Sequence, residues 1–136
     1  GNAASVKAWE RQIGGDGGEG SQFWQQLKNH SLPFFERERP LWRLSVAPAT
    51  PRLDCEHETL TDWAGAQRWV HTGMSAAELR AEVEKVGGHA ILFRHGDKQT
   101  PAFHPLDSVR ERLHRGLKSK FDPAGILNPG RQYAYL

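Results

Sequence analysis

The stretch SAAELRAEVEKVGGHAILFRH, Ser75 to His95, decides the fold class. Ser75 and Glu78 form a capping-box pattern, in which the serine accepts from the backbone N–H three residues on and the glutamate reaches back. The helix that begins there carries three apolar residues on one face, Leu79, Val83 and Val86. Gly87-Gly88 ends it, and an apolar strand follows at His89–His95. A helix joined directly to a strand in this way predicts an α+β domain.

Two further strands are predicted upstream of that helix. Between Pro40 and Pro48, apolar and polar residues alternate in the segment PLWRLSVAP. The segment TLTDWAGAQRWVHT, Thr59–Thr72, is rich in Thr, Trp and Val, and predicts one long strand bent at Ala64-Gly65-Ala66. We expect these two strands to pair antiparallel.

Three more helices complete the pattern. Asn2 can cap a first helix with Val6, Trp9 and Ile13 on one face, and a second short helix ends before Leu32-Pro33. Near the other end, Ser108 to Glu111 repeats the capping-box pattern. The last helix then places an apolar residue at every fourth position, Val109, Leu113, Leu117 and Phe121. The predicted order is α-α-β-β-α-β-α.

This order predicts a ferredoxin-like split βαβ antiparallel sheet with helices on one face, lacking its first strand. We therefore expect residues 1–136 to form a single domain that is a fragment of a longer polypeptide. A plain three-stranded α+β domain is the alternative. The edge left by a missing strand would expose unpaired N–H and C=O groups, so a homodimer that pairs strands is a further expectation.

Composition narrows the function classes. The 136 residues include 18 basic and 16 acidic ones, a formal charge of +2. Cys55 is the only cysteine, so no intramolecular disulfide can form, and an inert thiol in a reducing cytoplasm is expected. No apolar run approaches the roughly 18 residues of a membrane helix. The basic residues between Arg110 and Lys120 lack interleaved aromatic residues, so they predict a solvated helix face and no nucleic-acid partner.

Candidate ligand-binding residues are few. Arg43, Arg68 and Arg94 each lie on a predicted strand among apolar residues, where a guanidinium suits a substrate carboxylate, although ion pairs on the sheet face would explain them equally. His89 and His95 are about 20 Å apart along an extended strand, too far for one metal ion. The glycine cluster Gly14–Gly20 has no strand before it, so it is not expected to bind phosphate.

The C-terminal segment FDPAGILNPGRQY, Phe121–Tyr133, is rigid. Asp122-Pro123 ends the last helix, Gly125 permits a turn, and Ile126-Leu127 is expected to anchor on the core together with Phe121. A second turn at residues 128–130 directs Arg131 outward. Two interpretations remain open: the segment locks onto its own domain, or it docks on another surface.

Three segments follow one another along the chain: PLWRLSVAP (40–48), WAGAQRWV (63–70), and the helix and tail from Leu106 to Tyr133, which contain FDPAGILNPGR (121–131). In this order they resemble the FAD-linked oxidases of the vanillyl-alcohol-oxidase type, and within them the C-terminal region of the FAD-binding subunits of bacterial glycolate oxidases. The resemblance implies an FAD domain earlier in the longer chain, with residues 1–136 forming a cap domain over the flavin. It implies a docking tail at 121–136 that contacts the flavin domain through four residues, Asn128, Pro129, Gly130 and Arg131.

The resemblance also implies partners and limits. FAD is expected in the full-length subunit and not in this fragment, which would be inactive alone. Companion catalytic flavoprotein and iron–sulfur subunits are expected, in the cytoplasm and in peripheral contact with the inner membrane through the complex. The segment FRHGDKQT, 93–100, lacks the paired histidines of the catalytic relatives, so no metal site is expected. The alternative function is a non-catalytic module that assembles the same complex.

Overall fold

A computed structural model describes residues 2–14, 20–55 and 58–136 of the chain. The chain divides into two compact units, Gly1–Arg37 and Glu38–Leu136. In the first unit, helix α1 spans Ala3–Ile13 and helix α2 spans Ser21–Asn29, followed by a 3-10 turn at Pro33–Glu36. The two predicted opening helices are therefore confirmed.

Local signals set the ends of these helices. The Asn2 side chain accepts a hydrogen bond of 2.8 Å from the Ser5 N–H, the N-cap that the sequence predicts. Helix α2 ends at His30, whose φ of 51° is left-handed. Most of the cluster Gly14–Gly20 lies outside the described residues, so its expected lack of phosphate binding stays a prediction.

The second unit is built on a four-stranded antiparallel sheet. Its elements, in chain order, are β1 Leu41–Ser45, β2 Glu58–Asp62, β3 Gln67–His71, α3 Ala76–Glu84, β4 His89–Arg94 and α4 Ser108–Phe121. The strand order is β2-β3-β1-β4, with β1 antiparallel to both β3 and β4. Helix α3 connects β3 to β4 across β1, which makes one split βαβ unit. The α+β fold and the antiparallel sheet are confirmed.

The segment Thr59–Thr72 forms a hairpin, so the prediction of one long bent strand is wrong. Trp63, Ala64 and Gly65 have φ values of 51°, 52° and 93°, and three consecutive left-handed residues reverse the chain direction. The Asp62 carboxylate accepts from the Trp63 N–H at 2.7 Å and steadies the reversal. β2 and β3 then pair, with Asp62 opposite Gln67. The hairpin gives the sheet four strands, one more than the sequence predicts for this chain.

Helix α3 covers the first face of the sheet. The core beneath it consists of buried apolar side chains, Trp42, Leu44, Val46, Cys55, Val70, Leu79, Val83 and Ala90. The predicted capping box is confirmed, because the Ser75 Oγ accepts from the Glu78 N–H at 3.3 Å and Glu78 Oε2 accepts from the Ser75 N–H at 2.9 Å. Cys55 is fully buried, in agreement with an inert thiol.

The edge of β4 is covered by the segment 101–105. The Leu92 N–H donates to the Ala102 carbonyl at 2.8 Å, and the Ala90 N–H donates to His104 Nδ1 at 3.2 Å. Since Nδ1 accepts, the proton of a neutral His104 lies on Nε2, which donates to Glu84 at 2.9 Å. β2 forms the other edge of the sheet, and a strand-pairing homodimer stays a prediction.

The N-cap of helix α4 lies one residue before the predicted one. Asp107, and not Ser108, is the N-cap, because its Oδ1 accepts from the N–H groups of Val109 and Arg110 at 3.0 and 2.8 Å. A carboxylate at this position also interacts favourably with the helix dipole, which explains why it caps in place of the serine hydroxyl. Within the described residues, no helix is both long and apolar enough to cross a membrane.

Candidate functional site

The three predicted ligand arginines do not converge on one site. Residues directly opposite in an antiparallel pair share a face of the sheet, and Arg43 on β1 lies opposite Trp69. Arg68 precedes Trp69 in β3, and its side chain therefore points to the opposite face of the sheet, the one that α3 covers. Arg94 closes β4, where the register with β1 shifts.

Arg68 is bound by backbone carbonyls. Its guanidinium donates to Gly65 O at 3.1 Å, to Pro51 O at 2.9 Å and to Thr50 O. The side chain is only 5% exposed. It thus joins the β2–β3 hairpin to the connection that leads out of β1, and its donors are occupied in a structural role. A role as substrate ligand stays a prediction.

Arg43 lies on the second face of the sheet, which we define by the residues that share its side, Leu41, Arg43, Trp69, His71, His89, Ile91 and Phe93. Trp69 and Phe93 meet there edge to face at 4.9 Å between ring centroids. The Arg43 side chain is half-buried and makes no hydrogen bond or ion pair within the described part of the chain. Arg94, by comparison, places its Cζ 5.5 Å from the Phe93 ring centroid.

His89 is another polar group of this face, beside Arg43 and His71, and it lies at the start of β4. Partial burial and the nearby charges of His104, Arg43 and Arg110 lower its pKa below the usual 6.5. The lowered pKa favours the neutral form of the imidazole. From the sequence, His89 is predicted only to be a poor metal ligand, because the register that brings it to the face of Arg43 depends on the pairing of β4 with β1. Among the described residues, no group of three or more His, Cys, Asp or Glu side chains could hold a metal ion.

Asp122 organises the C-terminal tail. Its two oxygens accept from the N–H groups of Ile126 and Leu127 at 3.0 and 2.9 Å, and the Lys118 ammonium lies 2.6 Å from Oδ2. The hydrogen bond from Lys118 and those from the two backbone N–H groups lower the pKa of Asp122. The tail is therefore held by a charged, hydrogen-bonded turn.

The apolar residues around this turn do not enter the core, so the expected anchoring is wrong. Phe121 is 80% exposed, Ile126 is 74% exposed and Leu127 is 57% exposed. The reason is that Asp122 and Lys118 fold the chain back against the helix end before its apolar side chains can reach the sheet. None of the residues of α4 is buried.

The predicted docking residues 128–131 form a turn that closes on the chain end. Asn128 and Gly130 have φ values of 47° and 67°, and the Arg131 N–H donates to Asn128 O at 3.2 Å. The Gly130 N–H donates to Leu136 O at 2.8 Å. Arg131 is exposed and makes no ion pair in the part of the chain that the structure describes. Contact with a flavin domain stays a prediction.

Comparison with known proteins gives a match that covers the whole chain. The chain is 41% identical, over all of its 136 residues, to Glycolate oxidase subunit GlcE of Escherichia coli (strain K12). Along its whole length, the chain is similar to the C-terminal part of a glycolate oxidase subunit. It spans 38% of the length of that relative. No family model and no solved structure matches the chain.

The match to GlcE confirms the resemblance predicted from the sequence. Because the identity extends over the complete chain, it includes the three segments on which that prediction rests, 40–48, 63–70 and 121–131. It also includes the residues of both units, 1–37 and 38–136.

Proposed function

We propose that this chain is the C-terminal cap domain of the FAD-binding subunit of a glycolate oxidase, which converts glycolate, a 2-hydroxy acid, to glyoxylate. The observation that carries the proposal is the 41% identity to a glycolate oxidase subunit over all 136 residues. Since the chain spans 38% of that relative, the activity is proposed for the full-length subunit in its complex, and the chain alone is expected to be inactive.

The described residues of the second unit do not fit the pyrophosphate of FAD. Such a group binds at a helix N-terminus whose N–H groups are free. At α3, the first turn is occupied by Ser75 and Glu78, and at α4 by the Asp107 carboxylate. The negative charges of Glu78 and Asp107 would repel a phosphate. FAD is therefore assigned to the preceding part of the full-length subunit.

Arg43 is the residue that we propose for the substrate carboxylate. Its guanidinium has no partner within the described residues, and its neighbours across the sheet, Trp69 and Ile91, are apolar. A carboxylate bound there would form charge-assisted hydrogen bonds in a partly desolvated place, where they are stronger than in water. Arg68 is less suited because its donors already bind carbonyl groups.

The test is the kinetics of the full-length subunit in its complex. Arg43→Gln should raise KM for glycolate about 10- to 100-fold, because a hydrogen bond to a charged group contributes about 1.5–3 kcal/mol. Arg39→Gln is the matched control: it removes an exposed arginine whose ion pair with Glu58, 2.7 Å long, should contribute little. An unchanged KM in Arg43→Gln would contradict the assignment. A full-length subunit with no glycolate oxidation and no bound flavin would overturn the proposed function itself.

An assembly module is the second candidate. The expected companions are a catalytic flavoprotein and an iron–sulfur subunit, and the exposed apolar residues of α4 favour a contact with another surface. This candidate gains support if Arg43→Gln leaves the kinetics unchanged while substitutions on α4 release the subunit from the complex in gel filtration. The tail residues 128–131 would contribute to the same contact.

A further inference from the structure

We infer that a cavity between helix α3 and the segment 97–101 binds a small organic carboxylate, which the guanidinium of Arg80 holds. The cavity has a volume of about 940 Å³, large enough for a small molecule. The Arg80 Cζ lies 5.4 Å from the ring centroid of Trp42, a core residue on the face of the sheet that α3 covers. Arg43 follows Trp42 in β1 and points to the opposite face, so the cavity is distinct from the place proposed for the glycolate carboxylate.

Arg80 is a buried charge with donors to spare. The residue is only 9% exposed, and burial lowers the pKa of its guanidinium below the usual value. Nη2 donates to the Pro101 carbonyl at 2.5 Å and lies 3.5 Å from Ala102 O. Within the described ranges, Nε and Nη1 make no hydrogen bond and Arg80 makes no ion pair. Burying a charge without a counter-charge is costly, so these donors indicate a ligand that brings a negative charge.

Arg68 shows how a structural arginine differs from Arg80 in this unit. All three guanidinium nitrogens of Arg68 donate to backbone carbonyls. In Arg80 only Nη2 does so. The bond to Pro101 fixes the Arg80 guanidinium at the wall of the cavity and leaves the rest of its donors for a ligand.

The carboxylates beside the cavity do not neutralise Arg80. Asp97 Oδ1 accepts from two backbone N–H groups of its own loop, each at 2.7 Å. Glu84 Oε1 lies 2.9 Å from Nε2 of His104. Lys98, which also lines the cavity, makes no ion pair in the part of the chain that the structure describes. Arg80 and Lys98 are therefore the cations that remain for an anion.

The remaining walls define the class of ligand. They are small and apolar: Ala76, Ala77, Ala81, Pro101 and Pro105. A ligand with an apolar body and one anionic group fits such a cavity. Two nitrogens of a guanidinium match the two oxygens of a carboxylate. A phosphate commonly uses free N–H groups at a helix N-terminus, and the capping box already occupies those of α3. The geometry therefore favours a carboxylate.

The experiment is photolabelling of the full-length subunit with para-azidobenzoate, followed by mass spectrometry of its peptides. The label is expected in residues 76–84 or 97–105. Benzoate should compete with it at a concentration about ten times lower than benzamide, the neutral molecule of the same shape, because a hydrogen bond between charged groups is stronger than one to a neutral amide.

Two substitutions test the role of the cavity. Arg80→Gln should lower the labelling about tenfold or more, because it removes the charge. Ala81→Leu keeps Arg80 and its bonds to the loop, suits a helix, and fills the cavity from an exposed position, so it should also abolish the label if Arg80→Gln fails to fold. Arg112→Gln is the matched control, an exposed arginine of α4 outside the cavity lining, and should leave the labelling unchanged.

Three results would overturn the inference: a label only outside residues 76–84 and 97–105, equal competition by benzamide and benzoate, or labelling that Ala81→Leu leaves unchanged. The assay does not measure glycolate turnover. A labelled cavity in a subunit that fails to oxidise glycolate would retain the carboxylate site and remove the proposed function.

Discussion

Replacing Arg68 tests whether this residue is structural, as its contacts indicate. In Arg68→Met the alkyl stem remains and the guanidinium is lost, so the carbonyls of Gly65, Pro51 and Thr50 lose their donors. A hydrogen bond to a charged group contributes about 1.5–3 kcal/mol. Because Pro51 is exposed, we take the lower value for each of the three bonds and expect a loss of about 4.5 kcal/mol of unfolding free energy.

The assay is urea unfolding of the 136-residue chain, followed by tryptophan fluorescence. Arg43→Met is the matched control: it removes an arginine from the adjacent strand whose guanidinium makes no bond within the described residues, and it should change the unfolding free energy by less than about 0.5 kcal/mol. Arg68→Lys should be intermediate, because one ammonium cannot reach all three carbonyls. If Arg68→Met lowers the unfolding free energy by less than about 1 kcal/mol, the contacts of Arg68 are not structural, and the result favours a role as substrate ligand.

Two further predictions concern stability. Leu79→Ala, in the core under α3, should cost about 2–5 kcal/mol in urea unfolding, whereas Leu117→Ala, 58% exposed on α4, should cost less than about 1 kcal/mol; equal losses would place α4 in the core after all. The pKa of Asp122 is lowered in the folded chain, so its contribution is present above its unfolded value near 3.8 and is lost as pH falls through the lower folded value. Asp122→Asn should therefore be less stable than the parent at neutral pH, and the gap should close in acid; a gap constant down to pH 2 would refute the charged turn.

Sequence patterns predict the structure correctly where it depends on residues that are close together in the chain. The capping box of Ser75 and Glu78 fixes the start of α3 from two side chains three residues apart, so it was predictable. The hairpin was not, because Trp63 and Ala64 are not residue types that usually adopt left-handed angles. The four-residue repeat of α4 was recognised correctly, yet periodicity cannot tell whether an apolar stripe meets its own core or another surface.

The prediction of the candidate site from the sequence has the same limit. Arg43 and Arg68 could be selected from the sequence as arginines on strands, but the face on which each lies follows from the pairing with its neighbours. That pairing depends on the hairpin, which divides the segment 59–72 into two strands. The proximity of His89 to Arg43 likewise depends on β4 lying beside β1.

The position of β1 at the centre of the sheet has a consequence for the order of folding. β2 and β3 are neighbours in sequence, with Asp62 opposite Gln67, so their hairpin can close within microseconds. β1 must find partners far along the chain, since Leu41 pairs with both His71 and Arg94. Such distant contacts carry a large loop-closure entropy and slow the rate-limiting step. We therefore expect the hairpin to form early and the insertion of β1 between β3 and β4 to complete the sheet, so that substitutions in β1 slow folding more than substitutions in the turn at Trp63.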